Sequence, residues 1–408
     1  MKAKILLLVT LMTFGGILKS QEILNQYLVT AAKNNPALKA KFNEYNATLE
    51  KIPQVGTLPD PTLAFGYFVL PVETKNGPQQ AKFSFTQMFP WFGTLSGNED
   101  VFVNAAKSKY EDFEDAKSNL FFEVKSAYYE LYFIQKSIDI TIDNIRIMNS
   151  FRNLALIKIS AGTASGVDEI RVEMELADLE NNLALFRDRW FATSVKFNKL
   201  LNVSSTSDII IPDKLWDNEL EFSRQDVIDS LQKNNHQLMS LEFLRQTFVS
   251  REKQAKKQGN PNIILGADYT LIGDNGISPD GGKDALFVKV GITIPLYRKK
   301  YSAMVNESVF QQKVVEDKKV SKVNALETLF EKVYSEYADA QRRIVLFEKQ
   351  STLAGRAINI LESEYASNGK NFEEILRMEK SLLKYGLELE KARGDKQVAI
   401  AFIYYLMG

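Results

Sequence analysis

Cysteine is absent from all 408 residues, and histidine occurs once, as His236. The missing thiols exclude disulfides, thiolate metal sites, cysteine nucleophiles and a lipid-modified cysteine. Acids are plentiful, but no nucleophile motif, phosphate loop or histidine spacing for a metal accompanies them, so no catalytic, cofactor or metal site is assigned and an enzyme is not expected. Basic and acidic residues balance at 51 each, without the basic stripe that would point to nucleic acid. Past residue 20 there is no run of eighteen apolar residues, so a membrane-spanning helix is not expected; a membrane role would have to use strands.

Proline is scarce in an informative way. Of eleven, five (Pro53, Pro59, Pro61, Pro71, Pro78) fall within a short zone, Pro90 follows, none lies between Trp91 and Ile211, and none lies after Pro295. Proline interrupts helices, so the proline-free stretches are where long helices are allowed. The first of these, Thr94 to Ala161, carries apolar or small residues at Val103, Ala106, Tyr110, Phe113, Ala116, Leu120, Val124, Ala127, Leu131, Ile134, Ile138, Ile145 and Met148, in steps of three and four broken only at Thr141. That is a heptad seam. Its 68 residues make a rod of roughly 100 Å, whereas a compact chain of this length has a radius of gyration of about 22 Å. The rod turns at Gly162 to Gly166 and returns from Val167 to about Leu201, giving an antiparallel helical hairpin.

The pattern then repeats. Lys233-Asn-Asn-His236 matches Lys33-Asn-Asn-Pro36, Pro90 matches Pro295, and Tyr129 and Tyr132 match Tyr334 and Tyr337. The change of offset falls in the loop Gly273 to Lys283, where an insertion is tolerated. Before each rod lie two strand-like stretches, and those of the second pair span about 9–11 residues, the length of a tilted membrane strand. Leu63, Phe65, Tyr67 and Val69, then Phe83 and Phe85, alternate with small or polar residues; Leu265, Ala267, Tyr269 and Leu271, then Leu286, Val288, Val290, Ile292 and Ile294, do the same. Glu73 to Gln80 reads as the loop between the first pair.

The resulting division is a secretory signal peptide over 1–20, a first repeat over 21–202 (strand hairpin 62–92, helical hairpin 94–201), a connector over 203–223 and a second repeat over 224–408 (strand hairpin 262–295, helical hairpin 296–408). Removing the signal leaves a net charge of −3. Four strands with one apolar face have two open edges, which hydrocarbon does not tolerate. Two copies would give eight strands with a filled interior; three give twelve and room for a channel. The expected fold is therefore a membrane β-barrel joined to a long α-helical coiled-coil barrel, internally duplicated, with a homotrimer forming a 12-stranded barrel.

Leu58-Pro-Asp-Pro-Thr-Leu63, Gln87-Met-Phe-Pro-Trp-Phe-Gly93, Ala127-Tyr-Tyr-Glu-Leu-Tyr-Phe133 and the glycine-turn hairpins, in this order within a duplicated unit, resemble the TolC-type outer-membrane efflux proteins over the whole mature chain. The first two segments look most like the branch serving heavy-metal cation pumps, including copper and silver exporters. The resemblance implies a passive trimeric conduit in the outer membrane of a Gram-negative bacterium, extending into the periplasm and docked to a periplasmic adaptor and an inner-membrane pump of RND type. It places candidate periplasmic gate residues at Asp168 and Glu374, with Arg377 where the family carries a further acid. It also places adaptor-docking tips at Gly162, Gly166, Asn368 and Gly369.

Other readings stay open. Acids such as Asp168 and Glu374 are also favoured in a first helical turn by the macrodipole, and Gly162, Gly166 and Gly369 also serve turns that a Cβ would strain. The nine methionines do not cluster, which favours packing over a soft-metal path. A secreted periplasmic coiled-coil structural or adaptor protein would share the helical hairpins but would not need the alternating strands. Within the same fold, the duct could instead serve drug or protein export.

Overall fold

A computed structural model describes residues 21–274, 276, 279–368 and 371–408. The proposed leader, 1–20, lies outside the described residues. Helix α1 covers 21–34, followed by α2 (Pro36–Leu49) and α3 (Lys51–Gly56). Strands β1 (Thr62–Tyr67), β2 (Glu73–Thr74) and β3 (Gly77–Phe89) lead into α4 (Thr94–Ser160) and α5 (Gly166–Leu200). The second half runs α6 (Arg224–Asn234), α7 (His236–Gln258), β4 (Ile263–Ile272), β5 (Ala285–Ile292), α8 (Arg298–Asn368) and α9 (Phe372–Met407). No helix among the described residues is both long and apolar enough to cross a membrane.

The described residues divide into two compact units that draw on both repeats: one takes those up to Ala40 with Glu114–Asn235 and Val323–Gly408, the other Lys41–Phe113 and His236–Lys322. In the first unit α4 buries one broad apolar stripe. Val124, Ala127, Tyr128, Tyr129, Leu131, Tyr132 and Ile134 are all buried while Glu123 and Glu130 between them stay exposed, as expected of an amphipathic helix with its apolar side against neighbours. Thr141, the break in the seam, is buried too, and its hydroxyl donates to the Ser137 carbonyl at 2.7 Å, so the interruption leaves no orphaned polar atom. The connector supplies part of this enclosure. Leu215 and Trp216 are buried, the Trp216 ring lies edge-on to Tyr129 at 6.0 Å, and the Tyr128 hydroxyl donates to the Ile210 carbonyl at 3.2 Å. The tyrosines thus pack against a segment that carries no periodicity of its own.

The matched Lys-Asn-Asn motifs do the same work twice. Asn35 Nδ2 donates to the Leu200 carbonyl at the end of α5, and Asn235 Nδ2 donates to the Leu406 carbonyl at the end of α9, each at 3.0 Å. Each side chain satisfies one of the carbonyls that a helix C-terminus leaves without an internal partner.

In the second unit the strands form one antiparallel sheet in the order β1-β3-β4-β5, with β2 pairing only the start of β3. β1 is shorter than its alternation predicts, ending at Tyr67 ahead of Pro71, whose ring nitrogen cannot donate to a ladder. Conversely, β3 begins inside the expected loop. Glu73 and Thr74 pair with Pro78 and Gly77, Thr74 Oγ1 donates to the Gly77 carbonyl at 2.7 Å, and Gly77 takes a φ of 122° that favours glycine. Register places Leu63, Phe65 and Tyr67 beside Phe85, Phe83 and Ala81, and then Ala267, Tyr269 and Leu271 of β4 beside the same three β3 residues. Leu265, Ala267 and Tyr269 continue to Val290, Val288 and Leu286 of β5. One face of the sheet is therefore a continuous apolar surface, left open in the chain: Leu63 is 77% exposed and Val290 75%.

The two Asn side chains make a direct test of the duplication. Asn235→Ala should destabilise the folded chain by about 1–3 kcal/mol, because the Leu406 carbonyl is then buried without a partner, and Asn35→Ala by less because Asn35 is only half-buried. Denaturant unfolding of the two variants beside the parent checks both the loss and its ranking.

Candidate functional site

The candidate residues from sequence gather where the two helical hairpins turn. At the end of α4 the chain makes a two-bond glycine cap: Gly162 N donates to the Ile159 carbonyl at 3.0 Å and Thr163 N to the Lys158 carbonyl at 2.9 Å. Gly162 has φ +72° with open space around the missing Cβ, so glycine is required there by conformation and not by crowding. Gly166 differs from its expectation. It is the first residue of α5, has no left-handed φ and has nothing near an added Cβ, so it does not relieve backbone strain. Ser165 caps α5 by accepting from Val167 N at 3.2 Å.

In the second turn Asn368 ends α8, while Gly369 lies outside the described residues. The left-handed position there belongs to Asn371 (φ 72°, ψ 21°), whose side chain donates to Glu364 Oε2 at 2.9 Å. Asparagine is the residue besides glycine that most readily takes this conformation.

The two turns pack on each other. Met148, Phe151 and Ala155 of α4, Val172, Leu176 and Leu179 of α5, Tyr365 of α8, and Phe372 and Ile375 of α9 form one buried cluster. Lys158 reaches across it. Its Nζ donates to the Tyr365 carbonyl at 2.7 Å and lies 4.7 Å from the centre of the Tyr365 ring, joining the end of α4 to the end of α8.

The gate candidates are charged, but they are not a bare set of acids. Asp168, in the first turn of α5, is buried and meets Arg171 at 3.5 Å; Arg171 in turn meets Glu373 of α9 at 2.9 Å. Glu374 and Arg377 form their own ion pair one turn apart on α9. Arg171 was missed by sequence reasoning, although its place three residues after Asp168 on one helix is a legible pairing signal. Glu373 of α9 is the acid that reaches the other hairpin.

Deeper on α9, Glu379 is buried, and burial together with the nearby Glu362 pushes its carboxyl up to about 6. The single histidine has a plain partner: His236 Nδ1 lies 2.8 Å from Oε2 of the buried Glu111. Among the described residues no group of histidines and carboxylates is arranged to hold a metal.

No family model matches the sequence, and no curated protein matches it. Solved structures do. The outer-membrane channel OprN superposes with a TM-score of 0.79 at 16% identity, covering 95% of this chain and 90% of that one. VceC, an outer membrane protein of Vibrio cholerae, gives 0.76 at 14% identity over 96% of this chain and 98% of its own. The chain has a TolC-type outer-membrane channel fold. CusC, described for its conformational changes in folding and transmembrane channel formation, gives 0.77 at 12% identity over 95% and 92%. At such identities it is the TolC-type fold that is shared, and the residues of the turns are this chain's own.

Because the raised Glu379 binds a proton in the folded state that it releases when unfolded, between the ordinary carboxylate value of 4.5 and about 6, folding should lose stability as pH rises through that interval. Glu379→Gln should remove that slope and stabilise the chain by about 1–2 kcal/mol at pH 7, with no gain at pH 4. Denaturant midpoints for the two proteins at both pH values test the sign.

Proposed function

We propose that the chain is one protomer of a homotrimeric outer-membrane efflux duct, a passive conduit from periplasm to exterior. The observation that carries this reading is the sheet: four antiparallel strands with an exposed apolar face and unpaired outer edges at β1 and β5. Each neighbour in the order β1-β3-β4-β5 is antiparallel, so β5 of one copy meets β1 of the next with the alternation intact, and a head-to-tail ring can close. Three copies supply twelve strands and an open lumen, with the apolar face toward lipid. On the helices, Phe191, Val345, Leu353 and Ile360 are large, apolar and more than half exposed, which supports packing of neighbouring rods into a helical tube.

In this reading the turns around Gly162, Gly166, Asn368 and Gly369 are the periplasmic tips that meet an adaptor, itself coupled to an inner-membrane pump of RND type. Asp168, Glu374 and Arg377 stand near the closure, and the Arg171–Glu373 pair links the two hairpins of one protomer there. The heavy-metal motifs make cations one reading of the cargo; drug or protein export is the other. The solved channels of the same fold support the conduit in general and leave cargo to this chain's own residues.

Native mass spectrometry of the protein extracted from membranes in detergent should find three copies. A soluble monomer or dimer that needs no detergent would replace the duct with the coiled-coil alternative. The facing of the sheet has its own test: Val290→Arg should cost about 2–4 kcal/mol near mid-bilayer and depress the yield of folded trimer, whereas Thr86→Arg, on the other face, should assemble normally. Equal yields would refute the assigned facing.

A further inference from the structure

The polar face of the sheet carries a charge arrangement that neither the fold nor the resemblance accounts for. Asp268, in the middle of β4, is 5% exposed. Lys82 of β3 and Lys289 of β5 both reach it, each with Nζ 2.8 Å from one of its carboxylate oxygens. Lys289 does so by lying across Gly266, where an added Cβ would strike the lysine stem and come within 2.9 Å of the Phe85 carbonyl. The carboxylate is thus covered, while the lysine side chains stay 41% and 36% exposed. The remaining strand positions of this face carry no charge, leaving one net positive charge per chain. Directly across from Asp268 stands Phe287, also on this face and 63% exposed, where the lipid-facing alternation does not call for an aromatic ring.

From this geometry we infer that the barrel lumen holds a cationic belt edged with aromatic rings, which favours organic anions with an apolar or aromatic body over cations. The inference rests on the barrel reading above and departs from the metal-cation reading of the cargo. In a trimer the arrangement recurs three times at one level, giving three net positive charges and three phenyl rings. Twelve strands spaced at about 4.8 Å and tilted by about 40° enclose a lumen about 25 Å across between backbones. The distance from wall to axis, about 12 Å, is close to the screening length of about 8–10 Å at physiological salt, and lysine side chains extend inward from the wall. The field of the belt therefore reaches most of the cross-section, and a carboxylate or sulfonate with a ring attached finds both a countercharge and an apolar surface.

The test is ion selectivity of the reconstituted trimer in planar bilayers, read as the shift in reversal potential between variants under a KCl gradient. Lys82→Gln leaves the Lys289–Asp268 pair neutral and well formed, and should lower the chloride-to-potassium permeability ratio about two-fold or more near 0.1 M salt. Asp268→Asn adds a net positive charge and should raise the same ratio. Both shifts should fade near 1 M salt, where the screening length is about 3 Å. Phe287→Ala should leave the ratio unchanged but weaken block of the current by 2-naphthalenesulfonate. Conducting trimers whose ratio moves with neither charge variant, or moves the same way with both, would overturn the belt. Protein that needs no detergent and forms no trimer would count against the barrel itself, so the two failures are told apart.

Discussion

The backbone hydrogen bonds at the edges of one small sheet are the constraint on which the rest depends. Among the described residues β1 and β5 each present a row of donors and acceptors without partners, beside an apolar face with no protein against it. In water such a sheet would aggregate; in hydrocarbon each unpaired group would cost several kcal/mol. Both problems vanish together if copies of the chain join edge to edge into a closed barrel. In the proposed duct the oligomer would then be a condition of folding in the membrane, and the long helices would inherit the symmetry that the strands impose.

The helical part solves a different problem. A buried helix end must satisfy its last carbonyls without water, and the chain does so in part with side chains placed twice by duplication. Asn35 and Asn235 hold the last carbonyls of α5 and α9, and Lys158 holds the last turn of α8. At the turns the same economy applies to charge. Asp168 is buried beside Arg171, which also holds Glu373, so one gate candidate is tied to the other hairpin, while Glu374 and Arg377 pair with each other. Any movement that parts α5 from α9 there must break the Arg171–Glu373 pair, and an exposed pair of this kind contributes under about 1 kcal/mol. The buried apolar cluster beneath it, from Met148 to Ile375, is the larger resistance to separation.

Much of this architecture was legible in the chain. Steps of three and four without proline predicted α4 and α8, because helix geometry is a short-range property that recurs in sequence with its own period. Alternation predicted which face of each strand is apolar, and register then aligned those residues across all four strands, as a period of two requires. The departures were local. β1 stopped ahead of Pro71, β3 began early through a tight turn at Gly77, and Gly166 proved to be an ordinary helical residue.

What the sequence by itself determined is therefore what depends on neighbours in the chain: helix extent, strand facing, the glycine turn at Gly162 and the internal repeat. Only the tertiary structure decided which strand adjoins which, that Arg171 is shared by Asp168 and Glu373, that the aperiodic connector covers α4, and that Asp268 lies covered beneath Lys82 and Lys289. The physical reason is range. Periodicity repeats every two to four residues and is written in each segment separately, whereas a charge pair or a strand edge depends on which distant segments meet, and no local pattern encodes that.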